Sequence, residues 1–254
     1  MNNVETTYII GGSTGMGLAI ARLIVDKGRN VLLVGRDQRK MDQAVASLGK
    51  PRQVEVRITD LRDQVQVDEL IAAIEAETRH IDALVNAAGY FKPVPFLEHS
   101  AEDYDQQMAL NRSFFFLTQA VARNMKAHGR GAIVNIGSMW AHQAIKATPS
   151  SAYSMQKAGL HSLTQHAAME LADFGIRVNA VAPAVVVTPI YEAFIEADKV
   201  SETLAGFNGF HPLGRIGKPE DVAAAIDFLL SDQASWITGT VLNVDGGVMA
   251  GRNQ

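Results

Sequence analysis

The sequence predicts an α/β protein with a doubly wound parallel sheet of seven strands and helices on both faces. Three observations support this prediction. Short apolar runs rich in β-branched residues alternate with longer helical patterns along the whole chain. The short runs are apolar on both sides, as buried parallel strands require. Because the order is strictly strand then helix, right-handed crossovers place helices on both faces of the sheet.

Strand and helix signals alternate along the sequence. The predicted strands cover residues 7–11, 31–35, 53–58, 83–87, 132–137, 177–182 and 240–244. The predicted helices cover residues 15–27, 39–47, 64–79, 101–128, 152–174 and 219–231. The sequence shows no Pro/Gly/Ser-rich linker and no low-complexity tract between them. We therefore expect residues 1–254 to form a single domain.

Residues 188–214 break this alternation. They follow a predicted strand but contain Pro189 and Pro212, together with aromatic side chains such as Tyr191 and Phe207. A segment of this kind, neither strand nor long helix, is typical of a movable cover over a site. We expect a substrate lid here; the alternative is a helical excursion packed on the surface.

Bulk composition excludes several classes of function. A formal net charge of -4 without any basic run gives no reason to expect nucleic acid or an anionic membrane as partner. Without cysteine there is no disulfide, thiolate metal site or Cys nucleophile. His161 and His166 lie five apart on a predicted helix and point to different faces, so no metal site is expected. With no secretory signal and no long apolar run, we expect a cytoplasmic protein.

A glycine-rich turn, residues 11–17, connects the first predicted strand to the first predicted helix. Such a turn lets backbone N–H groups approach a pyrophosphate, and the helix N-terminus adds free donors and a favourable dipole. The sequence therefore predicts a Rossmann-type dinucleotide site at the start of the chain. The candidate contacts in this turn are Gly11, Ser13, Thr14, Gly15, Met16 and Gly17.

The end of the second predicted strand bears on the choice of cofactor. A site that prefers a ribose 2′-hydroxyl usually places Asp or Glu here, whereas this chain has Gly35 followed by Arg36. The guanidinium of Arg36 suits a phosphate, which favours NADP(H). The alternative is that Arg36 is a solvated loop residue and Asp37 binds the ribose, so NAD(H) stays possible.

Tyr153 and Lys157 lie four apart near the start of a predicted helix, which places them on one helix face. A free tyrosine has a pKa of about 10, too high for proton exchange near neutral pH. A lysine ammonium about 5 Å away would stabilise the phenolate by about 3 kcal/mol and lower its pKa by about two. The pair is therefore a candidate general acid/base.

Together these motifs resemble the short-chain dehydrogenase/reductase family over about residues 5–249. The spacing Gly11, Gly15, Gly17 is that family's form of the glycine turn. Further matching positions are Asp60, Leu61, Asn86, Ala87, Ala88, Gly89, Asn111, Ser138, Tyr153, Lys157, Pro183, Val186 and Thr188. In the C-terminal strand region, 236–239 and 245–247 match as well.

The resemblance implies a role for each of four residues. Tyr153 would donate a proton to a carbonyl oxygen, and Ser138 would hydrogen-bond that oxygen. Lys157 would bind the nicotinamide ribose and tune Tyr153, and Asn111 would hold a water in a relay to Lys157. The cofactor contacts that the resemblance implies beyond the glycine turn are Asp60, Leu61, Asn86, Ala87, Ala88, Gly89, Tyr153, Lys157, Pro183, Val186 and Thr188.

The chain departs from the family pattern at several positions. Ile10 and Ala184 replace a threonine and a glycine, respectively, and Ala87 replaces an asparagine. The loop 139–151, which lies between Ser138 and Tyr153, is two residues longer than is typical, so we expect it to alter substrate shape rather than mechanism. The candidate substrate contacts are Ser138, Trp140, Tyr153 and Tyr191. Trp140 and His142 in this loop are candidate pocket-lining residues; the alternative is that they are packed or exposed loop residues.

The expected function is an oxidoreductase that transfers a hydride between NADP(H) and a small-molecule carbonyl or alcohol substrate. Two alternatives remain: a β-ketoacyl-thioester reductase, and a non-catalytic nucleotide-sensing protein of the same fold. The family commonly forms homotetramers through helices equivalent to residues 101–128 and 152–174, and the resemblance implies the same assembly here.

Overall fold

A computed structural model describes residues 5–146 and 148–251. The ends of the expected 1–254 domain, residues 1–4 and 252–254, and residue 147 of the long loop lie outside the described residues. Seven parallel strands form one sheet in the order β3-β2-β1-β4-β5-β6-β7, which confirms the predicted fold class. The strands are β1 (Thr6–Ile10), β2 (Asn30–Gly35), β3 (Val54–Ile58), β4 (Ile81–Asn86), β5 (Gly131–Ile136), β6 (Ile176–Pro183) and β7 (Val241–Val244).

Helices cover both faces of this sheet. They are α1 (Gly15–Asp26), α2 (Gln38–Leu48), α3 (Gln64–Glu75), α4 (Ala101–His128), α5 (Ser151–Leu171), α6 (Val200–Ala205) and α7 (Pro219–Leu230). On one face α3, α4 and α5 bury residues such as Phe114, Leu117 and Leu160 against the strands. On the other face α1, α2 and α7 bury residues such as Ile20 and Ile226. The sheet therefore lies between two apolar layers.

The predicted burial on both sides of the strands holds for the centre of the sheet and not for its edges. All five residues of β1 are buried, whereas β3 and β7 contain only partly buried or exposed residues. The strand order explains the difference, because β3 and β7 are the two edge strands. An edge strand has a neighbouring strand on one side only, and the helical layers cover it less completely.

Two predicted helices are shorter in the structure. The predicted helix 64–79 ends at Glu75, because Asn124 of α4 holds the connection to β4. Its Nδ2 donates to the carbonyl oxygens of Glu77 and Arg79, both at 3.0 Å, and its Oδ1 accepts from the Ile81 amide at 2.9 Å. The predicted helix 152–174 ends at Leu171 and continues as a short 3-10 turn.

The strand order reverses at β1, which is flanked by β2 on one side and β4 on the other. In open α/β sheets a crevice forms at such a point, outside the carboxyl ends of the strands. The residues that follow β1 and β4 are the glycine turn and residues 87–89, so the topology brings the two predicted cofactor segments together. None of the helices formed by the described residues is long and apolar enough to cross a lipid bilayer.

Candidate active site

A cleft of about 480 Å³ opens at this crevice. The cleft wall contains most of the predicted cofactor residues, and four others lie behind it. Those in the wall are Gly11, Ser13, Thr14, Gly15, Met16, Arg36, Asp60, Leu61, Ala87, Ala88, Gly89, Tyr153, Lys157 and Thr188. Those outside the wall are Gly17, Asn86, Pro183 and Val186.

There is no room for a side chain at Gly11 in the cleft wall or at Gly17 directly behind it. Gly11 has a φ of +93°, and a Cβ there would collide with the backbone of Ala88. A Cβ at Gly17 would collide with the carbonyl oxygen of Gly11. Thr14, the N-cap of α1, makes no side-chain capping bond, so the first N–H groups of this helix are not satisfied by its hydroxyl. This open helix N-terminus beside a side-chain-free floor fits a dinucleotide pyrophosphate.

Asn86 lies behind the wall as part of a buried hydrogen-bond network. Its Nδ2 donates to Thr118 Oγ1 at 3.0 Å and to Asn135 Oδ1 at 2.8 Å. Asn135 in turn donates to Thr164 Oγ1 at 2.8 Å. The network connects the ends of β4 and β5 to α4 and α5, so it holds together the elements that shape the cleft.

Cationic side chains gather at one end of the cleft. Arg36 is exposed in the wall, and Lys40 and Arg62 join it there. Sequence reasoning missed the last two, although Lys40 lies only four residues beyond Arg36. Arg62 pairs with Asp60 at 2.8 Å. The carboxylate of Asp37 caps α2 by accepting from the Lys40 amide at 2.9 Å, and this bond holds its pKa below the usual range.

Ser138 and Tyr153 meet where the cleft adjoins a second, smaller pocket. Ser138 follows β5, and its hydroxyl accepts from the Trp140 amide at 3.3 Å. Tyr153 lies in the first turn of α5, and the nearby Ser138 side chain acts against the rise in pKa that burial causes for the Tyr153 hydroxyl. The carboxyl end of one strand and the start of the following helix thus bring together two hydroxyls that lie well apart in the sequence.

The expected lowering of the Tyr153 pKa by Lys157 is not found in the structure. Burial raises the pKa of Tyr153 to about 12, and the hydrogen bond from Ser138 opposes this only in part. Lys157 Nζ donates instead to the carbonyl oxygen of Ile136 at 2.8 Å and lies 5.7 Å from the centre of the Tyr153 ring. Burial also lowers the pKa of Lys157 to about 8. Desolvation therefore dominates over charge attraction in this pair.

Asn111, on α4, is bonded to the residue that precedes Lys157. Its Nδ2 donates to the backbone carbonyl of Gln156 at 3.0 Å, and its Oδ1 accepts from Gln156 Nε2 at 2.9 Å. These bonds fasten α4 to α5 beside the lysine. Asn111 therefore contacts the residue that directly precedes Lys157. The water relay expected from Asn111 to Lys157 stays a prediction.

The second pocket encloses about 60 Å³ next to Ser138 and Tyr153. All four predicted substrate contacts, Ser138, Trp140, Tyr153 and Tyr191, lie in its wall. The wall also contains Phe91, Thr148, Ala184, Val185, Ile190, Leu204 and Phe207. Sequence reasoning missed this second group because its members come from separate segments; the aromatic content of residues 188–214 was the only local signal. Phe91 packs edge-on against Tyr153, with ring centres 4.9 Å apart.

His142 is not part of this pocket wall. Its Nε2 lies 3.1 Å from His161 Nδ1, and His161 Nε2 accepts from the Ser138 amide at 3.4 Å. The two rings therefore form a support behind Ser138 that the sequence did not indicate. Burial is the main cause that lowers the pKa of His161 to about 4. Among residues 5–146 and 148–251 there is no cluster of three His, Asp or Glu side chains that could hold a metal ion.

Comparisons with known proteins agree with this geometry. Residues 11–249 match a family model described as enoyl-(acyl carrier protein) reductase. A galactitol 2-dehydrogenase of Rhizobium johnstonii is 35% identical over 96% of this chain and 94% of its own length. A cyclopentanol dehydrogenase of a Comamonas species is 34% identical over 98% of both chains.

Solved structures extend the similarity to three dimensions. One, described as a short-chain dehydrogenase/reductase family protein, superimposes with a TM-score of 0.85 at 35% identity and covers 98% of this chain and 100% of its own. Other structures of the same fold contain NADP or NADPH. The chain belongs to the short-chain dehydrogenase/reductase family and is an oxidoreductase acting on alcohol or carbonyl groups.

Proposed function

We propose that this protein is an NADP(H)-dependent ketone or aldehyde reductase, or the reverse alcohol dehydrogenase, in which Tyr153 is the general acid/base. One observation carries the proposal: the side chains of Ser138 and Tyr153 line the same small pocket, and Tyr153 also lines the adjoining dinucleotide-sized cleft. A carbonyl oxygen in the pocket can reach both hydroxyls while its carbon faces the cleft.

The proposed mechanism assigns proton handling to three side chains. Tyr153 keeps its proton near neutral pH, since its pKa is about 12, and donates it to the carbonyl oxygen during reduction. Ser138 hydrogen-bonds the same oxygen. Lys157, whose pKa is about 8, carries an ammonium near neutral pH that stabilises the phenolate left on Tyr153. The chemistry supplied by bound NADPH is the transfer of a hydride to the carbonyl carbon.

The preference for NADP(H) rests on the cations at the end of the cleft. Arg36, Lys40 and Arg62 surround a position where no carboxylate ends β2. Asp37, the alternative ribose ligand, already uses one oxygen as the cap of α2. A 2′-phosphate would therefore meet positive charge, which the 2′-hydroxyl of NAD(H) would not neutralise.

Three further features belong to the proposal. Residues 1–254 act as one domain in which 188–214 form a lid; in support, Ile190, Tyr191, Leu204 and Phe207 of that segment contribute to the pocket wall. The enzyme works as a homotetramer, which rests on family resemblance, and in the cytoplasm, which rests on the sequence expectation stated above. Light scattering on the purified protein and fractionation of the producing cells test these two points.

A β-ketoacyl-thioester reductase is the second candidate, favoured by the acyl-carrier-protein substrate in the name of the matching family model. The 188–214 segment opposes it. Glu192, Glu196, Asp198 and Glu202 outnumber the single Lys199 there, whereas a phosphopantetheine carrier should prefer a basic rim. A non-catalytic nucleotide-sensing protein is opposed by the intact set Asn111, Ser138, Tyr153 and Lys157.

The Tyr153→Phe variant tests the proposal, with Tyr104→Phe as control because Tyr104 is an exposed tyrosine of α4. Tyr153→Phe should lower kcat of carbonyl reduction by about 1000-fold or more. NADPH affinity should stay within about threefold, since the ring and its packing are kept. Near-normal turnover by Tyr153→Phe would refute the assignment.

A further inference from the structure

The pocket beside Ser138 and Tyr153 has a wall without charge. Among the described residues, none that lines it is Asp, Glu, Lys, Arg or His. Its walls are made instead by aromatic and aliphatic side chains such as Phe91, Val185, Leu204 and Phe207. A carboxylate or phosphate placed there would lose its hydration without gaining a partner, so the pocket selects against anionic substrates.

Polar side-chain groups in this wall are few beyond the reacting pair. The hydroxyl of Tyr191 is already bonded to the backbone of Val186. The other lining side chains provide two polar groups, the Thr148 hydroxyl and the Trp140 indole N–H. Trp140 Nε1 is buried and has no hydrogen-bond partner among the described residues. A polyhydroxylated substrate would therefore leave several hydroxyls unpaired, each weakening binding by about tenfold.

The volume of the pocket adds a size limit. About 60 Å³ corresponds to roughly four to six enclosed waters. Four of the lining residues come from the 188–214 segment. Edge-to-face contacts join Tyr191 and Phe194 of this segment to Phe91, which itself contacts the Tyr153 ring. A compact ring or short branched chain fills such a space, whereas a long acyl chain does not fit within it.

We propose that the pocket takes compact, uncharged ketones with apolar substituents, alicyclic ketones foremost, and yields the corresponding secondary alcohols. This inference rests on the proposed function. The carbonyl carbon gains a hydride from NADPH, which becomes NADP⁺, and the carbonyl oxygen gains a proton from Tyr153. Discrimination comes from the apolar wall, not from the reacting hydroxyls, which treat every carbonyl alike.

The test is a three-substrate comparison on the wild-type enzyme with NADPH. Cyclohexanone, fructose and an acetoacetyl thioester of N-acetylcysteamine present an alicyclic, a polyhydroxylated and an acyl-thioester carbonyl, respectively. We expect kcat/KM for cyclohexanone to exceed both others by at least about 100-fold. A preference for fructose or the thioester would overturn this inference and leave the proposed function standing. NADPH binding without reduction of any of the three would overturn both.

Two matched variants test whether the apolar wall of the pocket causes the preference for cyclohexanone. Phe207 and Phe210 are both partly buried aromatic residues of the 188–214 segment, but only Phe207 lines the pocket. Phe207→Asn should lower kcat/KM for cyclohexanone by about tenfold, because an amide replaces an apolar surface. The ratio of kcat/KM for cyclohexanone to kcat/KM for fructose should therefore fall. Phe210→Asn should keep the wild-type ratio of the two substrates. An unchanged ratio in Phe207→Asn would overturn the assignment of selectivity to this wall.

Discussion

The cofactor cleft and the proposed substrate pocket share Tyr153 and Ile190 and differ in size, charge and the groups that line them. The cleft is large, has cations at one end, and is lined by bare backbone at Gly11, which Gly17 supports from behind. The pocket is small and uncharged, and it is walled by side chains from scattered segments. A ligand held by backbone groups constrains the local sequence strongly, whereas one held by apolar side chains can be enclosed in many ways. The difference explains why relatives with this fold act on a polyol in one case and a cyclic alcohol in another.

Gly17→Ala should cause the largest loss of cofactor affinity among the variants considered in this comparison. The added Cβ would collide with the carbonyl oxygen of Gly11, so the turn must shift where the pyrophosphate is expected to bind. We expect NADPH affinity to fall by at least about 1000-fold, or roughly 4 kcal/mol, measured by calorimetry or fluorescence titration. Gly209→Ala is the control, because a Cβ there meets no atom within 4 Å. Equal NADPH affinity in both variants would contradict a backbone-built site.

Arg36→Ala should affect the cationic end of the cleft alone. Loss of a charge-assisted contact to a 2′-phosphate should weaken NADPH binding by about 3 kcal/mol, roughly 100-fold, and leave NADH binding nearly unchanged. Arg39→Ala is the matched control, since Arg39 is an exposed residue of α2 outside the cleft wall. If Arg36→Ala weakened NADPH and NADH equally, the phosphate assignment would fail.

The smallest effect is a pH dependence of stability, expected from the His142–His161 pair behind Ser138. The folded-state pKa of His161 is about 4, below the ordinary value of 6.5, so its neutral form is favoured by folding. This contribution is fully present above about pH 6.5 and is lost as the pH falls toward 4. Lowering the pH from 7 to 5 should therefore reduce the contribution of His161 to the free energy of unfolding by about 2 kcal/mol.

Denaturant titrations at pH 7 and pH 5 measure that loss. The His161→Leu variant should lose about 2 kcal/mol less than the wild type between these two pH values. His166→Leu should keep the wild-type pH dependence, because His166 is exposed on the same helix. Identical pH dependence in wild type and His161→Leu would show that His161 is not the group responsible.

The sequence by itself determined the α/β class, the seven strands, the glycine turn and the spacing of Tyr153 and Lys157, and the family resemblance added Ser138. These features leave local patterns, because strand burial, helix periodicity and a side-chain-free turn each restrict neighbouring residues in the chain. Arg36 was visible for the same reason, since it directly follows a strand.

The tertiary structure alone decided what no short pattern encodes. It placed Asn86 in a buried network rather than in the cleft wall, added Lys40 and Arg62 to the cationic end, and paired His142 with His161. It also replaced the expected acidic Tyr153 by one with a pKa of about 12, because desolvation depends on everything that surrounds a side chain. The substrate wall was decided in the same way, since Phe91, Val185 and Phe207 become neighbours only when distant segments fold together.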